Sequence, residues 1–210
     1  MKMRERQDGF GYDLREAMTG GNFIERVFHR RRLSFWSSAI DYTGKKVLDV
    51  GCNTGIILIP LAERGVDVRG VDVSREEVRR AKQNLAGLGI SPSRVGLADA
   101  KGLPFRAGEF DVVLLADILE HMDRPEVAAH EALRVVKKGG LILASVPNEW
   151  HPVVRYTWLR SLLSGRGNVT QFPDKPFNLS KLTNLFPGTE MIESRLVAFG
   201  TAIFCQLRKK

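Results

Sequence analysis

Residues 47–55, VLDVGCNTG, constrain the fold more than any other part of the chain. A short apolar run ends at Gly51, and a second apolar, helix-like stretch follows Gly55. A strand that turns on glycine and re-enters as a helix is the opening of a βαβ unit. The same rhythm then repeats. Residues 66–71 read as a second strand, 94–97 as a third, 110–116 as a strongly buried fourth and 141–146 as a fifth. Ser74 and Glu77 form a capping-box pattern that predicts a helix to about residue 88, stopped by Gly89. Asp123 and Pro125 start a helix predicted to reach about residue 137 and to end on Gly139 and Gly140. Pro60 should kink or shorten the first turns of the helix predicted over 54–64. Strands alternating with helices at this spacing imply a parallel sheet, and continuously apolar strands imply that both its faces are covered.

The alternation stops after Pro147. Residues 151–163 read as helical, a loop rich in Gly, Pro and Asn follows, and 178–186 read as a short helix. Residues 191–199 and 202–207 read as two closing strands, paired antiparallel around Gly200 and Thr201. Ahead of the core, residues 22–40 read as a helix with Phe23, Phe35 and Trp36 on its apolar side.

At 210 residues the chain suits one domain with its own core. It is expected to be a single domain with an N-terminal helical lid (1–40), a core (41–147), an insertion (148–190) and closing strands (191–210). Its longest apolar run, residues 56–62, is too short to span a bilayer. The first residues lack an apolar signal region. Two cysteines far apart, Cys52 and Cys205, fit a reducing compartment, so a cytoplasmic location is expected. No Cys/His spacing suits a dedicated metal site, and none is expected. The net charge of +8 is unevenly spread. Residues 1–40 carry +3, residues 151–210 carry +6 and the middle is nearly balanced.

Gly51 lets the backbone turn sharply and lets a ligand approach, and the helix beyond offers free N–H groups. The spacing excludes a P-loop, and it is not the dinucleotide G-x-G-x-x-G pattern either. Asp72 stands 21 residues after Gly51, at the end of the second strand, where a carboxylate can accept bonds from ribose hydroxyls. The bland alternative is an aspartate that starts a helix beside Ser74.

With these blocks in order, followed by LADAKGLPF, FDVVLLADILEHM and LRVVKKGGLILASVPN, the chain resembles the class I S-adenosylmethionine-dependent methyltransferases. Within them it is similar to the broad group that includes quinone-biosynthesis and related small-molecule enzymes. The resemblance covers about residues 45–147. It implies an α/β, Rossmann-like three-layer sandwich whose seven-stranded, mostly parallel sheet has one antiparallel C-terminal strand. It implies S-adenosyl-L-methionine as cofactor and S-adenosyl-L-homocysteine as product. The turn residues Gly51, Cys52, Asn53 and Gly55 would then line the cofactor site. Asp49 and Gly51 would border the methionine moiety, Asp72 the ribose and Val73 the adenine. Asp99 and Ala100 would meet the adenine amino group and ring. Ala116 would flank the transferable methyl, with Asp117 next to it. The family pattern has glycine where Asn53 stands, and Asn tolerates the positive φ such a turn needs.

His121 follows the fourth strand, at the mouth of such a site, and is the candidate general base; alternatively it and Glu120 shape the pocket. Cys52 is either a nucleophile or, more simply, a small residue packed in the turn. The basic cluster of His29, Arg30, Arg31 and Arg32 either grips a carboxylate or forms the wet face of the first helix. Trp150, Tyr156 and Trp158, interleaved with Arg155, Arg160 and Arg166, could stack on bases, meet a membrane surface peripherally or simply form an amphipathic helix. The amino-methylating [DNS]-P-P-[YFW] signature is absent; the matching stretch reads ADIL. The expected function is O-methylation of a small-molecule, lipid-linked or sugar acceptor. The alternatives are an RNA methyltransferase of the tRNA type, suggested by the pI of 9.8, and a non-catalytic partner subunit with the same fold.

Overall fold

A computed structural model describes residue 31 and residues 34–148, 150–152, 154–155 and 177–210. The expectations for residues 1–30 and 156–176, including His29, Arg30, Tyr156 and Trp158, lie outside the described residues.

Seven strands form one sheet in the order β3-β2-β1-β4-β5-β7-β6. They are β1 (Lys46–Val50), β2 (Asp67–Asp72), β3 (Val95–Leu97), β4 (Phe110–Ala116), β5 (Val136–Pro147), β6 (Thr189–Val197) and β7 (Ala202–Lys209). The first five pair in parallel. β7 runs antiparallel to both β5 and β6, so it is the one reversed strand of the sheet. The chain leaves β1 toward β2 on one side and later returns to place β4 on the other. The crevice above β1 and β4 is therefore the topological switch point, where open α/β sheets bind ligands.

The helices are α1 (Leu58–Glu63), α2 (Arg75–Ala86), α3 (Pro125–Val135) and α4 (Leu179–Asn184). α2 and α3 form for reasons visible in their sequences. Ser74 caps α2 by accepting the Glu77 N–H, and Val78, Ala81 and Leu85 give it a buried stripe. α3 opens on Pro125, whose fixed φ suits a first turn, and buries Ala128, Ala129, Ala132 and Val135. α3 and α4 cover one sheet face, on a core of Leu48, Val113, Leu115, Ile142, Ala144 and Cys205. α1, α2 and the helical residues 34–38 cover the other, on Val47, Val68, Val112, Leu114, Leu143 and Phe204. Trp36 is buried there, and Phe35 meets Phe204 edge-to-face with centroids 4.8 Å apart. This is the expected three-layer sandwich.

Two local expectations need correcting. The helix expected over 54–64 begins only at Leu58, which leaves Pro60 in the first turn, where its missing N–H has no intrahelical partner to lose. The helix expected to reach 137 stops at Val135, because Val136 already pairs with Phe110 as the first residue of β5. Residues 137–140 then bulge against Asp111 before the ladder resumes at Leu141. A Cβ on Gly140 would stand 2.9 Å from the Asp111 carbonyl oxygen, so only glycine fits this crossing.

Candidate cofactor site

The turn after β1 is built from its backbone upward. The N–H groups of Gly51 and Cys52 both donate to the Val71 carbonyl, at 2.8 and 3.0 Å, and so tie the turn to β2. Gly51 has φ +74 and Gly55 φ +88. Between them Asn53 has φ +49, the left-handed conformation expected for it. Its side chain steadies the turn, since Asn53 Oδ1 accepts the Thr54 N–H at 2.6 Å. A Cβ on Gly51 would stand 2.5 Å from Ile118 Cγ2, so this glycine is also the seat of a side chain from the loop after β4.

Asp72 closes the turn from the end of β2. One carboxylate oxygen accepts the Asn53 N–H and the other accepts the Ser74 N–H, each at 2.9 Å. The return bond of the capping box, expected from Glu77, is therefore made by Asp72. Each oxygen keeps a second lone pair for another donor. Val73, the next residue, is 67% exposed and offers an apolar platform beside the turn. Asp99 lies at the surface, where it accepts the Lys101 N–H at 2.8 Å, and Ala100 is buried beneath it.

Asp49 is 1% exposed, and its Oδ2 has no hydrogen-bond partner among the described residues. Burial, with the nearby Asp72 charge adding, pushes its carboxyl up to about 7, while the Leu58 backbone N–H works against the rise. The side chain of Cys52 does not face the crevice. It is 3% exposed and packs on Gly70, where a Cβ would stand 2.8 Å from its Sγ. Burial holds its thiol well above the ordinary range. The packing reading of Cys52 is the one the structure supports, and only its backbone can face a ligand. Cys205 is likewise core, its thiol pushed up to about 12 by burial.

Ala116 ends β4, and Asp117 follows it at φ +49. That conformation is unusual outside glycine and is held by β5. The Asp117 N–H donates to the Ser145 carbonyl at 3.1 Å, and the Ser145 hydroxyl donates to Asp117 Oδ1 at 2.6 Å. The chain then enters a 3-10 turn, Leu119–His121. Glu120 is buried, and His121 Nε2 lies 3.8 Å from Glu120 Oε1.

The antiparallel pair expected around Gly200 and Thr201 forms between β6 and β7. The hairpin between β6 and β7 passes through three successive positive-φ residues, Ala198, Phe199 and Gly200. Asn148, just after β5, grips this turn twice, by its N–H to the Thr201 carbonyl and by Nδ2 to the Gly200 carbonyl, both at 2.7 Å. Phe199 is 58% exposed, and the Arg31 guanidinium lies over its ring at 4.7 Å. Of the basic cluster, then, Arg31 meets the hairpin. His151 packs beside Gly200, and Trp150 is 74% exposed. His130 lies exposed on α3.

The site therefore collects Asp49, Gly51, Asn53, Gly55, Asp72, Val73, Ala116 and Asp117 at the carboxyl ends of β1, β2 and β4. A buried, unpartnered carboxylate oxygen and a glycine turn clasped by a second carboxylate fit a ligand that carries both a cationic group and hydroxyls.

The comparisons agree with this geometry. Residues 48–144 match the family model of the methyltransferase domain. Relatives include ubiquinone biosynthesis O-methyltransferases of Dechloromonas aromatica, 34% identical over 56% of this chain and 50% of theirs, and of Erwinia tasmaniensis, 34% identical over 66% and 55%. The chain thus spans about half the length of these relatives. Among solved structures, magnesium protoporphyrin IX methyltransferase from Synechocystis, crystallised with bound SAH, superposes with a TM-score of 0.70 at 18% identity, over 97% of this chain and 96% of that one. A SAM-dependent methyltransferase from Aquifex aeolicus gives 0.67 at 16% identity, over 89% and 97%. Residues 48–144 are a methyltransferase domain similar to those of the class I S-adenosylmethionine-dependent enzymes.

Proposed function

We propose that this chain is an S-adenosylmethionine-dependent O-methyltransferase acting on a small hydroxyl-bearing acceptor. The observation that carries the reading is the clasp of Asp72 on the Asn53 turn at the β1/β4 switch point, with the O-methyltransferase relatives pointing to oxygen. Bound there, the cofactor supplies a methyl group on a sulfonium, ready for in-line displacement.

The residues divide the work. Asp72 accepts the ribose hydroxyls on the lone pairs that its backbone bonds leave, and Val73 lies against the adenine. Asp99 and Ala100 meet the adenine edge. Asp49, with the backbone of Gly51, Cys52, Asn53 and Gly55, borders the methionine end, and Ala116 and Asp117 flank the methyl. His121 would take the acceptor hydroxyl proton at Nδ1 as the oxygen–carbon bond forms and the sulfur–methyl bond breaks to leave S-adenosylhomocysteine, with Nε2–H turned toward the Glu120 carboxylate.

Labelled-methyl transfer tests the reading, using catechols, other phenols, lipid extract, RNA and protein as separate acceptors. Label in a hydroxylated small molecule is expected. Label confined to RNA or protein, or no transfer with normal cofactor binding, overturns it. Asp72→Ala should abolish S-adenosylhomocysteine binding in calorimetric titration; unchanged affinity removes Asp72 from the ribose role.

A further inference from the structure

The opposite end of the sheet carries a second feature that methyl transfer does not use. A cleft of about 350 Å³ opens at the amino ends of the parallel strands. Lys45, Asp111, Lys137, Lys138, Gly139 and Arg208 line it. The whole length of β4, roughly 20 Å, separates it from the cofactor crevice.

Most of the basic groups around this cleft can be assigned, and the remainder is what matters. Lys46 Nζ is held by Glu109 at 2.8 Å. Lys209 Nζ is held by the carbonyls of Leu133 and Val136, at the end of α3. Lys137 Nζ is held by Asp111 at 2.6 Å. The other Asp111 oxygen accepts the Lys46 backbone N–H at 2.9 Å, and the Lys45 charge acts on the same carboxylate. Lys138 and Arg208 make no ion pair with any described residue, and Lys45 makes no close one, although its charge acts on Asp41 and Asp111. Glu190 stands opposite Arg208 in the β6–β7 ladder, yet the two form no ion pair. The lining therefore holds four cations against one carboxylate, a local excess of +3.

The floor is rigid. Gly140 packs against the Asp111 and Lys137 carbonyls, with a Cβ position 2.9 and 3.0 Å from their oxygens. The bulge that displaces residues 137–140 thus presents Lys137 and Lys138 from a fixed backbone.

We propose that this cleft is a binding site for a phosphate-bearing anion, best matched by a diphosphate group. Like charges drawn together on a fixed backbone repel one another until a multivalent anion neutralises them. A guanidinium meets two phosphate oxygens at once, while lysines act as point charges around it. The volume suits a small ligand and lies near the lower end of ordinary ligand sites. A single carboxylate would leave most of the excess charge uncompensated.

The experiment uses the whole chain and inorganic pyrophosphate in isothermal titration at low salt. Phosphatidic acid vesicles, against phosphatidylcholine vesicles, form the second arm. Saturable pyrophosphate binding that weakens as salt rises is expected. The combined Lys45→Ala, Lys138→Ala and Arg208→Ala variant should lose at least about tenfold in affinity while S-adenosylhomocysteine affinity stays unchanged. Retention on phosphatidic acid vesicles together with pyrophosphate binding identifies a lipid headgroup as a source. Binding of pyrophosphate alone identifies a free ligand. If the triple variant does not fold, Lys138→Glu, at an exposed position, replaces it and should weaken binding in the same direction. No saturable heat in the millimolar range and no vesicle retention, or equal affinity in the variants, overturns the proposal.

Discussion

The Ser145 hydroxyl donates a 2.6 Å hydrogen bond to Asp117 Oδ1, and the same two residues are joined through their backbones. β5 thereby fixes the first residue of the loop that carries His121. Asp117 is left-handed, so without its partner the turn should relax toward ordinary φ. Ser145 is 1% exposed and Asp117 half-buried, so loss of the hydroxyl removes a short hydrogen bond to a carboxylate. Ser145→Ala should therefore cost about 1–3 kcal/mol of stability in denaturant titration. S-adenosylhomocysteine binding should weaken as well. Ser145→Thr keeps the hydroxyl and should restore the binding; equal weakening by both substitutions would show that the hydroxyl does not matter.

Asn53 carries a different test. At φ +49 it occupies a place where glycine is unstrained and a β-branched residue is not. Asn53→Gly should keep the fold and cofactor affinity within severalfold, losing only the bond to the Thr54 N–H. Asn53→Val should cost on the order of 1–2 kcal/mol and weaken binding much further, because the turn must open. Melting curves and calorimetry on the two variants give the comparison. Indistinguishable behaviour would mean that the left-handed turn is not what the site requires.

Much of this was legible in the sequence, and the exceptions have physical causes. β1 and β4 are apolar runs buried on both sides, β2 alternates exposed and buried residues, and these patterns with glycine punctuation located all three to within a residue. Asp72 was legible because its distance from Gly51 is set by one βαβ unit. The start of β5 was not, because residues 134–138 suit a helix end equally well and only the pairing of Val136 with Phe110 decides it. The turn around Gly200 was legible, but the grip of Asn148 on it was not. Their link spans 52 residues and is made by backbone carbonyls, which leave no mark on composition.

Gly51 and Ile118 are coupled sterically. Gly51→Ala places a Cβ 2.5 Å from Ile118 Cγ2 and also forces alanine to φ +74. Loss of S-adenosylhomocysteine binding is expected, with destabilisation of about 1–3 kcal/mol. Trimming the neighbour in a Gly51→Ala, Ile118→Ala double variant removes the clash but not the backbone strain, so stability should recover only in part. Full recovery would show that contact with Ile118 is the whole constraint. No recovery would show that φ is.

Asp49 makes stability depend on pH in a direction opposite to most carboxylates. Its carboxyl is pushed up to about 7 by burial, whereas an exposed aspartate titrates near 3.9. Between those values the folded state holds a proton that the unfolded state has released. Stability contributed at this site must therefore fall as pH rises from about 4 to about 7, and the deficit is complete above that. Asp49→Asn is neutral throughout and keeps the side chain's size. Its stability relative to the parent should rise across this window, by up to a few kcal/mol, and level off beyond it. Denaturant titrations of both proteins at pH 5, 6, 7 and 8 measure the difference. A flat difference would show that Asp49 is already ionised at low pH in the folded chain. Bound cofactor should reduce the slope, since a cation beside Asp49 draws its carboxyl back toward the ordinary range.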